Sequence, residues 1–345
     1  MNGRAHGRDA VAFQGRVETP SIDSAALADN RLGDPTTREI PVYLPPGWDT
    51  PGAAFPVVYL LTGFTGRGQK FLETHPWHKG VALRYDELVA AGTAPPAILV
   101  MPDCFTRMGG SQYVNSSYMG RYEDHLVDEL VPFVDERYPT LVGRRGVMGK
   151  SSGGYGAMRL SMLHPDVFPA AASISGDCHF EYGYAPEFLA GLRGLESAGG
   201  DPAAFLEAFF EDPKLDGDGH AVINLLAMSA CYSPNPDSEL GFDLPIELGT
   251  GRRLHDVWDR WLTFDPVQLI EKHADAWRKL DWLHLECGKR DEFHLQFGLR
   301  ILRERLLALD VPHEYEEFEG GHFGIDARYL ELLPRMIAAL VPNQV

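Results

Sequence analysis

Short apolar runs closed by glycine, proline or aspartate alternate along the chain with segments whose apolar positions recur every three to four residues. FPVVYLL (55–61), AILVMPD (97–103), RRGVMG (144–149), AAASISG (170–176), WLHLECG (282–288) and HEYEEFEG (313–320) predict strands. Most are apolar at consecutive positions, as in a sheet covered on both faces. REIPVYL (38–44) alternates and predicts an early antiparallel strand. Helices are predicted where the period lengthens. YEDHLVDELVPFVDERY (122–138) sets Leu126, Leu130, Phe133 and Val134 on one face and its acids on the other. FHLQFGLRILRERLLALD (293–310) does the same with Leu295, Leu299, Leu302 and Leu306, and IDARYLELLPRMIAAL (325–340) follows, with a kink expected at Pro334. Strands and helices alternating at this spacing predict an α/β fold with a mostly parallel central sheet and helices on both faces.

One region breaks the rhythm. From about Phe180 to Lys279 no strand pattern occurs, aromatic residues are frequent, and loops such as SAGGDPAAF alternate with short helical stretches. This predicts a helical cap insertion (180–279) over the C-terminal edge of the sheet, within a single domain spanning 1–345. No internal repeat is visible.

Composition narrows the function classes. The 345 residues carry a formal net charge of −18, from 49 acidic and 31 basic side chains, a field that repels nucleic acid and anionic membrane surfaces. No run reaches the roughly 18 apolar residues of a spanning helix, so no membrane partner is expected. The opening MNGRAHGRDAVAF lacks a continuous apolar stretch of the secretory kind, and a cytoplasmic location is expected. Four cysteines without a C-x-x-C pair read as buried free thiols rather than a disulfide or metal framework.

The chemistry concentrates in GVMGKSSGG (146–154), which carries two motifs at once. Gly149-Lys150-Ser151 could end a phosphate-binding loop, but such a loop needs a glycine where Arg144 stands. Gly149-x-Ser151-x-Gly153 matches a nucleophile elbow, in which a serine sits on a sharp turn from strand to helix. The strand pattern before it and the helical pattern after it fit the second motif, with Ser151 as nucleophile and the Ser152 N–H as an oxyanion donor. A serine nucleophile needs a base and an orienting acid, in the order Ser, Asp or Glu, His. LHLECGKRDEF supplies Asp291, with Glu292 beside it, and EEFEGGHFGI supplies His322 in a glycine-rich loop. Both follow predicted strands at the C-terminal sheet edge, where α/β folds build their sites. A second oxyanion N–H is expected from Phe64, after Gly63 in YLLTGFTGRG.

These segments together resemble the putative-esterase (esterase D-like) branch of the α/β-hydrolase superfamily. The resemblance covers roughly 36–180 and 280–340 and is carried by PVVYLLTGFTG, PPAILVMPD, YVNSSYMGRYEDHLVDELVPFVDERYP, GKSSGGYGAMRL, CGKRDEF and EGGHFGI. It implies an α/β-hydrolase fold and a serine ester hydrolase with Ser151 as nucleophile, Asp291 as acid and His322 as base. Phe64 and Ser152 would be the oxyanion donors. Thr62 stands where many members carry histidine, a departure that bears on how the oxyanion loop is braced.

The expected function is therefore hydrolysis of a small-molecule carboxylic ester through an acyl-enzyme, with no metal or organic cofactor. Acyl transfer or thioester hydrolysis on the same machinery is the alternative, and a hydrolase-fold binding protein without catalysis is the rival from another class. The sequence leaves a homodimer open. Tyr182, Trp258 and Trp261 in the insertion are candidates to line the substrate pocket, or else form the insertion's own core. Lys150 is expected to pack or pair, Asp103 to form a turn, and Glu129 to brace loops or face solvent. His75 and His78 have a metal-like spacing without a third ligand.

Overall fold

The computed structural model describes residues 13–73 and 79–341; His75 and His78 lie outside them. Its central sheet has eight strands: β1 (Arg16–Glu18), β2 (Val42–Leu44), β3 (Phe55–Leu61), β4 (Ile98–Val100), β5 (Thr140–Lys150), β6 (Ala170–Ile174), β7 (Trp282–Gly288) and β8 (Glu314–Phe318). Their spatial order is β1-β2-β4-β3-β5-β6-β7-β8. β2 runs antiparallel to both its neighbours, and from β4 to β8 every pairing is parallel. The predicted strand 38–44 is two strands, because Pro41 interrupts it: Thr37–Glu39 pairs with Ser21–Asp23 outside the sheet, and only β2 joins the sheet.

The consecutive apolar runs are explained by burial on both faces. In β3, Val57, Tyr59 and Leu61 enter one core and Val58 and Leu60 the other, as the two-residue period of a strand dictates. On the first face lie the helical stretch 122–137 and the helices Ser152–Leu163, Pro266–Trp277 and Leu295–Ala308. Val81–Ala90 and Ala327–Leu340 cover the second. The predicted helix 122–138 is present with a π-helical middle, His125–Leu130. Ala327–Leu340 is one helix through Pro334, whose missing N–H leaves the Leu330 carbonyl without its in-helix donor. Each fully buried Leu or Val in these layers contributes about 1.5–3 kcal/mol.

The segment after β6 builds a third core from the helices Phe188–Ser197, Gly219–Tyr232 and His255–Leu262, with Leu192, Val222, Leu226, Trp258 and Trp261 at its centre. The helix Pro266–Trp277, assigned to the insertion from sequence, instead places Val267, Ile270 and Trp277 in the core of the sheet. Asp265 marks the junction. Its carboxylate caps this helix at Val267 N (3.0 Å) and accepts from His179 N and Phe180 N, both at 2.9 Å, so it ties the start of the segment to its end. Among the described residues, no helix is long and apolar enough to cross a membrane.

Candidate active site

Ser151 sits between β5 and the helix Ser152–Leu163 at φ 58°, ψ −126°, a conformation that costs a non-glycine residue about 1–3 kcal/mol. The turn is tight enough to dictate the residues around it. A Cβ on Gly149 would lie 2.3 Å from the Gly153 carbonyl carbon, and one on Gly153 would lie 2.3 Å from the Leu61 carbonyl oxygen. The G-x-S-x-G spacing is thus a packing requirement of this turn. The Ser151 N–H bonds the Ile174 carbonyl of β6 at 3.0 Å, and its own carbonyl accepts the Tyr155 N–H at 2.9 Å.

The loop after β8 brings His322 to the same cleft as Ser151. His322 is buried, and its Nδ1 lies 2.8 Å from Oδ2 of Asp291, which the loop after β7 supplies. Of the two adjacent acids, Asp291 meets the imidazole, whereas Glu292 accepts the His322 backbone N–H at 2.5 Å. Burial pushes the Asp291 carboxyl up. The hydrogen bond and charge of His322, with the Phe293 N–H at 3.0 Å, outweigh it and hold the group below the ordinary aspartate value. The Phe293 ring meets His322 edge-on at 4.8 Å and covers that side.

Phe64 and Ser152 line the cleft beside Ser151, and among the described residues neither N–H has an acceptor. Ser152 opens its helix, whose dipole places partial positive charge there. The loop carrying Phe64 is braced at Thr62. The Tyr113 hydroxyl donates to the Thr62 carbonyl (2.6 Å), and Thr62 Oγ1 donates to the Gly66 carbonyl (3.0 Å).

The cleft has a volume of about 1130 Å³ and takes Tyr184, Glu187, Leu215, His220 and Asn224 from the cap. None of the three aromatic candidates lines it. Trp258 and Trp261 are buried in the cap, where their indole N–H groups bond Glu181 (2.8 Å) and Ser233 (2.9 Å); Tyr182 is 45% exposed and packs on His179. Of the other residues singled out in the sequence, Lys150 lines the cleft, whereas Asp103 and Glu129 do not. Asp103 accepts the Phe105 N–H in a turn, and Glu129 braces Ser24 and Ala26 while bonding His125. All four cysteines are free and buried.

Asp177 was not a candidate, yet it lines the cleft next to Ser152. It accepts from the Tyr184 hydroxyl (2.9 Å), from Gln112 Nε2 (3.3 Å) and from the Ser152 hydroxyl (3.3 Å). Burial raises its pKa despite those bonds and the charge of His322. The available signal was its position, three residues past the end of β6 on the C-terminal sheet edge.

One group of described residues has the donor set and spacing to hold a metal: His284, Glu286 and Glu316, away from the cleft. The Arg328 guanidinium already fills it, bonding Glu286 through Nε at 2.8 Å and pairing with Glu316 at 3.0 Å, so the carboxylates have their cation.

A ferulic acid esterase is similar in structure over 95% of this chain and 100% of that one, with TM-score 0.61 and 20% identity. An S-formylglutathione hydrolase from Agrobacterium tumefaciens is similar over 95% and 97%, with TM-score 0.58 and 17% identity. The shared architecture is the α/β-hydrolase fold. In sequence, an esterase of Mycobacterium tuberculosis is 32% identical over 315 residues, 88% of this chain and 56% of that protein. An uncharacterised protein of Bacillus subtilis is 27% identical over 168 residues, 45% of this chain and 62% of that one. The chain thus matches little more than half the length of these curated relatives. The model of the putative esterase family matches residues 31–338, nearly the whole chain, and the chain belongs to that family.

Proposed function

We propose that the chain is a serine carboxylic-ester hydrolase working through an acyl-enzyme. The observation that carries this is the Asp291–His322 bond of 2.8 Å opening onto the cleft in which Ser151 stands in a strained turn. Ser151 Oγ attacks the ester carbonyl carbon as its proton passes to His322 Nε2. Asp291, held ionised by its low pKa, fixes the other ring nitrogen as a donor. The N–H groups of Phe64 and Ser152 receive the developing oxyanion. His322 then gives its proton to the leaving alcohol oxygen, and the alcohol departs. Water attacks the acyl carbon, its proton passes to His322, and collapse releases the carboxylic acid and returns the proton to Ser151.

Thioester hydrolysis is the second reading, favoured by the likeness to the S-formylglutathione hydrolase and needing no further group. A fluorophosphonate probe and a p-nitrophenyl ester test the proposal. One adduct per chain is expected, lost in Ser151→Ala together with a fall in kcat of about 10⁴-fold or more. A wild-type chain that takes no label, or a Ser151→Ala chain that labels and turns over as before, would refute it.

A further inference from the structure

The mechanism proposed above leaves the cationic side chains of the cleft unused. Lys150 precedes the nucleophile and lines the cleft half-buried, with its ammonium 5.3 Å over the Phe323 ring. Lys70, exposed on the turn Gly68–Leu72, lines the same cleft. Neither forms an ion pair among the described residues, whereas Lys79 of the same cleft is paired with Glu87 and Arg67 lies 4.6 Å over the Phe105 ring. Burial, and after it the Lys70 charge, hold Lys150 below the ordinary lysine value; Lys70 acts on it more strongly than Asp326, Asp291 or Glu292.

The half-buried Lys150 ammonium, desolvated and repelled by Lys70 in the same cleft, costs folding free energy. A chain with 49 acidic residues has ample carboxylates to pair with them. Of the carboxylates that line the cleft, Asp177 holds Tyr184 and Gln112, and Glu187 acts on His220 on the cap side. Glu73 and Asp326 make no ion pair with either lysine among the described residues, although the Asp326 charge acts on Lys150. The position of the pair relative to the chemistry is also informative. Phe323, beneath Lys150, packs edge-on against His322 at 5.3 Å, and His322 is the group that protonates the leaving alcohol.

We propose that Lys150 and Lys70 form an anion subsite on the leaving-group side, and that the substrate is an ester whose alcohol part carries a carboxylate or phosphate group. This rests on the ester-hydrolase reading and narrows its substrate class.

The test compares kcat/KM for the acetate ester of para-hydroxybenzoate with that for its neutral methyl ester, in the wild type, Lys150→Met and Lys70→Met. A third substrate, the mono-p-nitrophenyl ester of glutarate, carries its anion on the acyl side. Intrinsic reactivities differ among these esters, so the deciding quantity is the change in the anionic-to-neutral ratio on substitution. The ratio for the benzoate pair is expected to fall about tenfold in Lys150→Met and about threefold in Lys70→Met. Lys70 is exposed, so its variant tests the subsite even if the half-buried Lys150 proves necessary for folding. An unchanged ratio in both variants, with the neutral ester still turned over, overturns the subsite and leaves the hydrolase standing. A loss confined to the glutarate ester overturns the leaving-group placement. A wild type that hydrolyses no ester and takes no fluorophosphonate removes the hydrolase reading, and the subsite with it.

Discussion

Ser151 is held at φ 58° by its surroundings, and Asp177 is held as a buried carboxyl in the same way; both are unfavourable in the free protein. For Asp177 the cost has a pH signature. Its folded-state pKa is raised above the unfolded value of 3.8, so the folded chain binds this proton more tightly. Stability from the group is full below 3.8 and is lost as pH rises through the folded value. Asp177→Asn keeps an acceptor for Tyr184 and removes the ionisation. The variant is expected to melt about 1–3 °C above the wild type at pH 8, with the gap closing toward pH 4, by calorimetry. A variant that melts lower at pH 8 would remove this account. The residue was missed in the sequence because its signal is tertiary: SISGD reads as a strand end and turn, and nothing local reveals Tyr184, Gln112 and Ser152 converging on it. The placement of Ser151, Asp291 and His322 at the C-terminal edge was legible because each follows a strand pattern in the sequence. Asp291 was named with Glu292 beside it, and the loop gives the two acids different partners, the imidazole for Asp291 and the His322 backbone N–H for Glu292.

At the scale of elements, several buried polar groups attach the segment after β6 to the rest of the chain, among them Gln112, which bonds Tyr184 and Tyr232, and Asp265. Asp265 receives three backbone N–H groups from the two ends of the segment and is almost fully buried. Asp265→Ala would strand those donors away from water, at an expected cost of about 2–4 kcal/mol in urea unfolding. A loss below about 0.5 kcal/mol would show that water or a shifted loop replaces the carboxylate. The elements themselves were read unevenly. β3 and β7 coincide with FPVVYLL and WLHLECG: β3 has no charged or strongly polar position, and the two polar positions of β7, His284 and Glu286, are buried with the rest. Strand 38–44 divided at Pro41, which ends a ladder in a way that alternation alone does not reveal. The helix Pro266–Trp277 was grouped with the cap because an amphipathic pattern says that a face is buried, not what buries it. The same ambiguity governs Trp258 and Trp261, since a small helical core and an aromatic pocket wall draw on the same residues.

Over the whole molecule, the net charge of −18 opposes the local charge of the proposed subsite. An anionic ester is repelled by the distant field and attracted by Lys150 and Lys70 once inside the cleft. Salt acts on both effects, but the distant field is spread over many exposed carboxylates beyond a Debye length of about 10 Å at 0.1 M and is screened first. The half-buried ammonium of Lys150 is screened least. If both charges are removed in Lys70→Met/Lys150→Met, only repulsion remains, and kcat/KM for the anionic benzoate ester is expected to rise as salt goes from about 0.05 to about 0.5 M. In the wild type the attraction of the exposed Lys70 is screened as well, so the rise is smaller than in the double variant. The neutral methyl ester, which feels neither field, supplies the baseline in each protein. The difference between the two slopes therefore isolates the contribution of the cleft from that of the surface. Equal slopes in the wild type and the double variant would mean that the exposed Lys70 exerts no pull on a bound anion, whatever its effect on rate.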